Sequence, residues 1–371
     1  MADFLFQILE GLRIVTRAIR IKFTGIKKYS GSVEEISKII IEKAYNTKDC
    51  YFMVSSGHFC QFYARDFGMI CESLINLGYK KKVKDTLKYA MQKYHSAGRI
   101  TTQIRPNGRP INFPSHSPES AAYMLHSLIL LNDKALIDKY KYFFQIISIK
   151  IYNEDIDKKT GLLRKDKIFS SMKDYSIRQS SCYNNCLLGM FVKDMNKIGI
   201  DTPLTKYNYS KLVKEYFWNG NYFLEDLSGN DIIAGDANTF PFWSGIITDK
   251  TMAKKTIASI MKKKLDVPWP LKYTSKEDIP KDFHFADFFV PGYEKDTIWM
   301  HLGLCYLKFI EKYDKKLLKK YLKQYKILIQ KYGNFYELYF ANGKPFKRSL
   351  YITDDSMSWV AIFWELYKKY I

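Results

Sequence analysis

Residues 98–134 read GRITTQIRPNGRPINFPSHSPESAAYMLHSLILLNDK. The opening part, 98–117, has no helical period and carries the turn signal Asn107-Gly108, so it is a long joint. Ser117-Pro118 then predicts a helix start, with Ser as cap and Pro in the first helical position. Met124, Leu125, Leu128 and Leu131 follow at helical spacing, and the next joint, Asn132–Lys134, is short. The same rhythm runs through the chain after residue 30, where about twelve helical stretches can be marked. Short joints fall near 78–81, 132–134, 199–205, 248–250 and 313–315, and long ones at 46–64, 98–117, 152–176, 218–237, 265–295 and 332–353. Strict alternation predicts an all-α ring of six helical hairpins, an α/α toroid with every long loop on one rim. Helices after long loops are the inner ones, expected near 65–78, 118–131, 177–197, 238–247, 296–312 and 354–370.

Composition sets the bounds. The chain has 371 residues, 47% hydrophobic and 16% aromatic, ample for a packed core. Length alone suggests two domains. The repeated hairpins argue instead for one closed unit, 31–371, preceded by a helical extension, 1–30, because each hairpin must bury its apolar face on its neighbours. The formal net charge is +21. The lysines run along the predicted outer helices, as in 80–84, 262–264 and 315–320, which reads as a solvated basic surface. Nucleic acid is not expected as a partner, because the aromatics sit in loops separate from the lysine runs. The six cysteines, Cys50, Cys60, Cys71, Cys182, Cys186 and Cys305, have neither disulfide-framework nor zinc spacing. They read as reduced thiols, which favours a reducing, cytoplasmic compartment.

The extension has apolar residues at Phe4, Leu5, Ile8, Leu12, Ile14 and Val15, with Arg13, Arg17, Arg20 and Lys22 between them. It lacks the pattern of a signal peptide, and no stretch is long enough to span a bilayer. A helix packed on the outside of the ring is expected, with an interfacial membrane helix as the alternative. Ser32-Val33-Glu34-Glu35 is a capping box. Short β pieces are expected inside the long loops, around Tyr222–Phe223 and Phe335–Phe340.

The long loops hold Trp218, Trp269, His58, His116 and the acids Asp174, Asp236, Asp287 and Glu337, among many Tyr and Phe. Such a rim suits a carbohydrate. Phe62-Tyr63-Ala64-Arg65-Asp66-Phe67-Gly68-Met69 opens the first inner helix. Arg donates from a rigid fork and Asp accepts from vicinal hydroxyls, so the pair suits a sugar. It serves equally as a salt bridge tying loop to ring. His58, His116 and His301 lie in different segments without the carboxylate spacing of a metal site, so no metal or cofactor is expected. His301 reads as a polar wall residue and His126 as a satisfied core histidine.

The Arg65-Asp66 segment resembles the Arg-Asp motif of glucoamylases and related six-hairpin glycosidases, including glycogen-debranching glucosidases. The later part of the chain resembles them too. Tyr336-Glu337-Leu338-Tyr339 leads through Asn342-Gly343 to Asp354-Asp355-Ser356-Met357-Ser358-Trp359-Val360-Ala361. The third long loop, with Thr160-Gly161-Leu162-Leu163, Lys173-Asp174-Tyr175 and Ser180-Ser181-Cys182-Tyr183-Asn184-Asn185, is similar to the family's acid loop. Gly235-Asp236-Ala237-Asn238 before Phe240-Pro241-Phe242-Trp243 matches a further piece. So does Asp296-Thr297-Ile298-Trp299-Met300-His301, with Asp296 where the family has Gly.

The resemblance implies an exo-acting, inverting glycoside hydrolase on α-linked glucosides or oligosaccharides. Asp174 would be the general acid and Glu337 the general base, with the carboxyls about 6.5–9.5 Å apart. Arg65, Asp66, Tyr63, Asp236 and His301 would bind the sugar, and Trp243, Trp269 and Trp299 would supply stacking faces. Asp174 reads equally as a cap of the following helix. A non-catalytic carbohydrate-binding toroid is the main alternative. A prenyl-chain cyclase on a similar ring is a second, hinted at only by Asp354-Asp355. The sugar, its linkage, the leaving group and the oligomeric state are not encoded legibly.

Overall fold

The computed structural model describes residues 2–278 and 290–371, with side chains from Glu10 onward; Asp287 lies outside the described residues. After α1 (Ala2–Thr24), twelve of the described helices form six successive pairs, each pair joined by a long loop. In chain order these are α2 (Val33–Lys43) with α3 (Ala64–Asn76), α4 (Lys80–Ser96) with α5 (Glu119–Leu131), and α6 (Lys134–Glu154) with α7 (Cys182–Lys197). Then follow α8 (Tyr209–Phe217) with α9 (Gly235–Trp243), α10 (Lys250–Lys262) with α11 (Met300–Tyr313), and α12 (Lys315–Tyr332) with α13 (Val360–Tyr370). The second helix of each pair packs on the next such helix, from α3 through α5, α7, α9 and α11 to α13, and α13 returns to α3. The ring is therefore closed, and the alternation of joint lengths predicts it correctly.

Burial separates the two circles. In α11 every residue from Met300 to Ile310 is buried, as expected of a helix with neighbours all round. In α12 only one stripe is buried: Leu317, Leu318, Tyr321, Leu322, Tyr325, Leu328 and Ile329. Lysine fills the other face of α12, as it does in α4. The inner circle is tight where glycine removes a side chain. A Cβ on Gly68 of α3 would lie 2.4 Å from the ring of Tyr123 in α5. A Cβ on Gly303 of α11 would lie 2.4 Å from the Pro270 carbonyl oxygen.

Helix starts shift where side chains compete for the backbone. Ser32 and Glu35 form the expected capping box on α2. Ser117 does not cap α5; its hydroxyl has no protein partner, and Pro118 already has helical angles, φ −66° and ψ −19°. α7 begins at Cys182 rather than near 177, because the Ser181 hydroxyl accepts the Asn184 amide. α9 starts at Gly235, which moves Asp236 from the expected loop into a first helical turn. α13 starts at Val360 rather than 354, because Asp354 and Asp355 are held outside the helix by Arg17.

The β pieces are short. Phe62–Tyr63, Gln103–Ile104 and Pro110–Ile111 make an antiparallel ribbon between the first two long loops. Ile298–Trp299 pairs with Leu338–Tyr339 between the last two. Trp218 bridges to Phe223. All six cysteines are free, with Cys50 exposed and Cys60 partly exposed.

One placement needs correcting. α1 does not lie on the outside of the ring; it crosses the rim of long loops. Arg17 bonds the Ile352 carbonyl at 3.0 Å and pairs with Asp354 at 3.0 Å. Arg13 reaches Cys60 at 3.3 Å, Gln61 donates to Glu10 at 3.0 Å, and Ala18 and Ile21 pack on Ile352. An outside position would leave Arg17 no buried carboxylate to neutralise. No described helix is long and apolar enough to cross a membrane.

Two outcomes follow from this packing. Gly68→Ala is expected to destabilise the fold by about 1–3 kcal/mol through overpacking against Tyr123, read as a lower urea midpoint. Arg17→Met leaves Asp354 buried and uncompensated and is expected to cost about 3–5 kcal/mol. A change under half a kcal/mol in the same titration, about the scatter of a neutral surface substitution, would contradict it.

Candidate functional site

Inner helices point their N-termini at the long-loop rim, and three of these first turns carry an acid: Asp66 on α3, Glu119 on α5 and Asp236 on α9. The helix dipole favours a carboxylate there. Arg65 sits among them. Its fork makes a two-point bond to Asp174, at 3.1 and 3.0 Å, and its nitrogens lie 3.6 Å from Glu119 and 3.9 Å from Asp66. The Arg65-Asp66 pair and Asp174, singled out from two separate segments, are therefore brought together.

Burial sets the titration of this cluster. Asp66 is pushed up to about 6 and Glu119 to about 7, chiefly by burial and against the pull of Arg65. Tyr63 lies beside Asp66 and Asp174, and its phenol is raised by burial and by those charges. Asp66 also accepts the Trp359 indole N–H at 3.0 Å. Among the buried polar atoms without a hydrogen-bond partner are Arg65 Nε, Glu119 Oε2 and His301 Nδ1. His301 is held neutral, below its usual range, by burial and by the nearby Arg65 charge. Buried polar groups are normally satisfied, so a set of unsatisfied donors and acceptors beside one guanidinium suits a hydroxyl-rich ligand.

The acid loop is clasped from the fifth long loop. Glu294 accepts the Asp174 amide at 2.7 Å and the Tyr175 amide at 3.0 Å. Burial and the Asp174 charge raise Glu294 to about 8. On the other side Arg178 bonds Asp236 at 2.7 Å and also donates to the Ser171 hydroxyl. Arg65 donates to the Ser171 carbonyl, so both arginines hold the same loop. Burial pushes Asp236 up, but Arg178 and Lys173 outweigh it and hold the carboxyl below its ordinary value. Asp236 is fully buried and committed to Arg178.

Glu337 forms a second centre in the last long loop. It is fully buried. Tyr293 donates to Oε1 at 2.7 Å, Tyr351 donates at 2.8 and 2.6 Å, and the Asp354 amide donates to Oε2 at 2.9 Å. Burial raises its carboxyl to about 7, with these donors pulling the other way. His58 lies behind, with Nε2 3.4 Å from the Tyr351 hydroxyl and Nδ1 3.3 Å from Asp354. Burial lowers its imidazole to about 4, so it is neutral. The two centres are joined by aromatic contacts. Trp359 packs tilted against His301 with ring centres 4.6 Å apart, His301 meets Trp299 at 5.1 Å, and the Trp299 indole donates to the Tyr293 carbonyl at 3.1 Å.

Two expected platforms fall elsewhere. Trp243 is the last residue of α9, at the short-joint end of the ring, packed near Tyr123 and His126. Eight residues of helical rise, about 12 Å, separate it from the rim-facing start of α9. Trp269 packs edge-on against Tyr339, in the aromatic set that includes Tyr332 and Tyr336, rather than on Trp299. His126 pairs with Asp194 at 2.8 Å and His116 with Asp155 at 2.9 Å. Among the described residues no three His, Cys, Asp or Glu side chains gather as metal ligands would.

The sequence reading does not single out Glu119, Glu294, Tyr293 or Tyr351. Glu119 carries a usable signal, since it opens an inner helix as Asp66 does. Glu294 and the tyrosines carry none, because their roles come from loops meeting across the ring.

No family model and no curated protein matches the chain. Solved structures do. GH63 mannosylglycerate hydrolase from Thermus thermophilus, in complex with Tris and D-glycerate, superposes with a TM-score of 0.62 at 10% identity, over 91% of this chain and 100% of that one. A glycosidase carrying a Glu-to-Ala substitution gives 0.67 at 9% identity, over 91% and 96%. A rhamnosidase from Klebsiella oxytoca with rhamnose bound gives 0.64 at 8% identity, over 91% and 63%. The architecture of this chain is the α/α toroid found in six-hairpin glycosidases.

Proposed function

We propose that this chain is a glycoside hydrolase that removes a terminal sugar from α-linked glucosides or oligosaccharides with inversion. The observation that carries the reading is Glu337, a fully buried carboxyl poised near neutrality between two tyrosine hydroxyls, on the same rim as the Arg65–Asp66–Asp174 cluster. Ionised Glu337 takes a proton from water as the water oxygen bonds to the anomeric carbon. Asp174 gives its proton to the leaving oxygen as the glycosidic bond breaks. Arg65 and Asp66 hold the terminal sugar, with Tyr63 and His301 beside it. Trp299 and Trp359 wall the site.

Arg65 has a further task in this reading. Its two-point bond to Asp174 must open before Asp174 can carry a proton. Sugar hydroxyls that take over the guanidinium N–H groups would release it, so the acid would be armed only when substrate is present. The same ion pair supports the second reading, a toroid that binds carbohydrate without cleaving it.

A panel of α-linked glucosides and oligosaccharides, followed by NMR, tests the proposal. Release of a monosaccharide of inverted anomeric configuration is expected, and retention would point to a nucleophile with carboxyls about 5–5.5 Å apart. Glu337→Gln should lower kcat by about 10²–10⁴-fold while sugar binding persists, because an amide cannot take the water proton. Asp174→Asn should cost least on substrates with good leaving groups. If neither variant loses activity, both assignments fail. Sugar binding by a wild-type chain that cleaves nothing in the panel would favour the binding toroid.

The pH profile supplies a second check. The base must be ionised, so kcat/KM should fall as pH drops through about 7, the value at which Glu337 titrates. The Tyr351 hydroxyl stabilises the carboxylate, so Tyr351→Phe should move this acidic limb to higher pH. A limb that stays in place would remove Glu337 from the role of base.

A further inference from the structure

α1 is anchored on one side only. At about 100° per residue, Arg17, Ala18 and Ile21 share the face turned to the loop rim, and Leu12, Ile19 and Phe23 fall opposite, within about 40° of one another. Those three are 57%, 50% and 86% exposed. Arg20 and Lys22 flank the stripe, about 80° to either side. Glu10, the nearest described acid on the helix, is turned away and taken by Arg13 and Gln61. Leu350 is exposed beside the end of α1, where Lys22 donates to the Ser349 carbonyl at 2.9 Å.

A second observation lies at the same end. Thr24, Gly25, Ile26, Lys27 and Lys28 form one wall of a cleft of about 610 Å³, and Tyr332, Tyr336, Pro345 and Lys347 form the other. Three lysines line it and no acid does. Lys27 and Lys43 crowd one another, with their ammonium groups 5.0 and 5.1 Å from the centre of the same Tyr29 ring. Lys43 stands outside the cleft, and the three lysines on its walls, with no carboxylate among the lining residues, leave room for a bound anion.

The geometry points to a surface that docks on an anionic lipid bilayer: the Leu12–Ile19–Phe23 stripe enters the boundary between headgroups and acyl chains, and the Lys27–Lys28–Lys347 cleft takes a lipid phosphate. An apolar stripe between basic flanks is what an interfacial helix presents, and each lysine or arginine near an anionic surface adds to the attraction. Bilayer is favoured over a soluble anion because the cleft adjoins Phe23, which a soluble anion would leave in water. The inference is independent of the hydrolase reading.

Flotation of the full chain with vesicles tests it. Binding is expected to vesicles of phosphatidylcholine with one third phosphatidylglycerol, and not to phosphatidylcholine alone. The double variant Ile19→Ser/Phe23→Ser should lose about tenfold or more in partitioning, since both side chains are solvent-exposed in the free protein and buried only on the bilayer. Lys27→Glu/Lys28→Glu should lose binding comparably, and inorganic phosphate should not displace the wild type. Four outcomes would overturn the proposal. They are absence of binding to the anionic vesicles, undiminished binding by the serine variant, displacement by phosphate alone, and a wild-type oligomer that Ile19→Ser/Phe23→Ser dissolves. Thermal melts of both variants should match the wild type, which separates loss of docking from loss of fold.

Discussion

The carboxylate of Asp354 is where the ring is fastened. It is fully buried, accepts the Ser55 hydroxyl and the amides of His58 and Phe59, and pairs with Arg17. One side chain therefore ties the first long loop, the last long loop and α1. These are the segments that a chain wrapping into a circle must bring together where the last hairpin meets the first. Glu337 depends directly on this knot: its amide donates to the Asp354 carbonyl at 3.0 Å, and its carboxylate accepts the Asp354 amide. A buried charge with this many donors is costly to disturb, which makes it a rigid support for a titrating neighbour. Gly57 is part of the same constraint, since a Cβ there would lie 1.9 Å from Asp354 Oδ1.

The rest of the rim follows the same logic with the signs distributed differently. Arg65 is shared among three carboxylates, whereas Asp236 is bonded by Arg178, which also lies 3.6 Å from Glu225, and feels Lys173 as a second positive charge. A shared cation leaves each acid incompletely neutralised, so burial wins and Asp66 and Glu119 titrate high. Arg178 and Lys173 together outweigh burial, and Asp236 titrates low. The distribution of cations along one rim thus leaves Asp66 and Glu119 raised and Asp236 lowered.

Much of the architecture is legible in the chain because the alternation of joint lengths is a direct image of the topology. Lysine on alternate helices records which of them face water. Of the candidate site, the parts written as local motifs are readable: Arg65-Asp66 at a helix start, and Asp174 and Glu337 in aromatic loops. What is not readable arises from contact between loops far apart in sequence. Glu294 looks like any loop acid until its loop reaches Asp174, and Tyr351 like any loop tyrosine until it folds back on Glu337. Trp243 misleads for the opposite reason. It is a large aromatic near a motif, but helical rise carries it to the other end of the ring. The position of α1 is illegible because its anchor, Arg17, looks like any surface arginine until a buried aspartate is supplied.

The return of α13 to α3 has a kinetic side. Most contacts in a helical hairpin are local, so five of the six hairpins can form and stack with little loop-closure entropy. The sixth must meet the first across nearly the whole ring, and the entropic cost of such a closure rises only as about (3/2)RT ln n. The late step is therefore less a matter of reach than of register: Arg17, Ser55 and Asp354 must arrive together before any of them is satisfied. Until they do, the first and last loops expose unpaired buried-type polar groups, and Glu337 has no fixed environment. The environment of Glu337 therefore exists only where the circle is closed, because Asp354, which supports it, is held by groups from both ends of the ring.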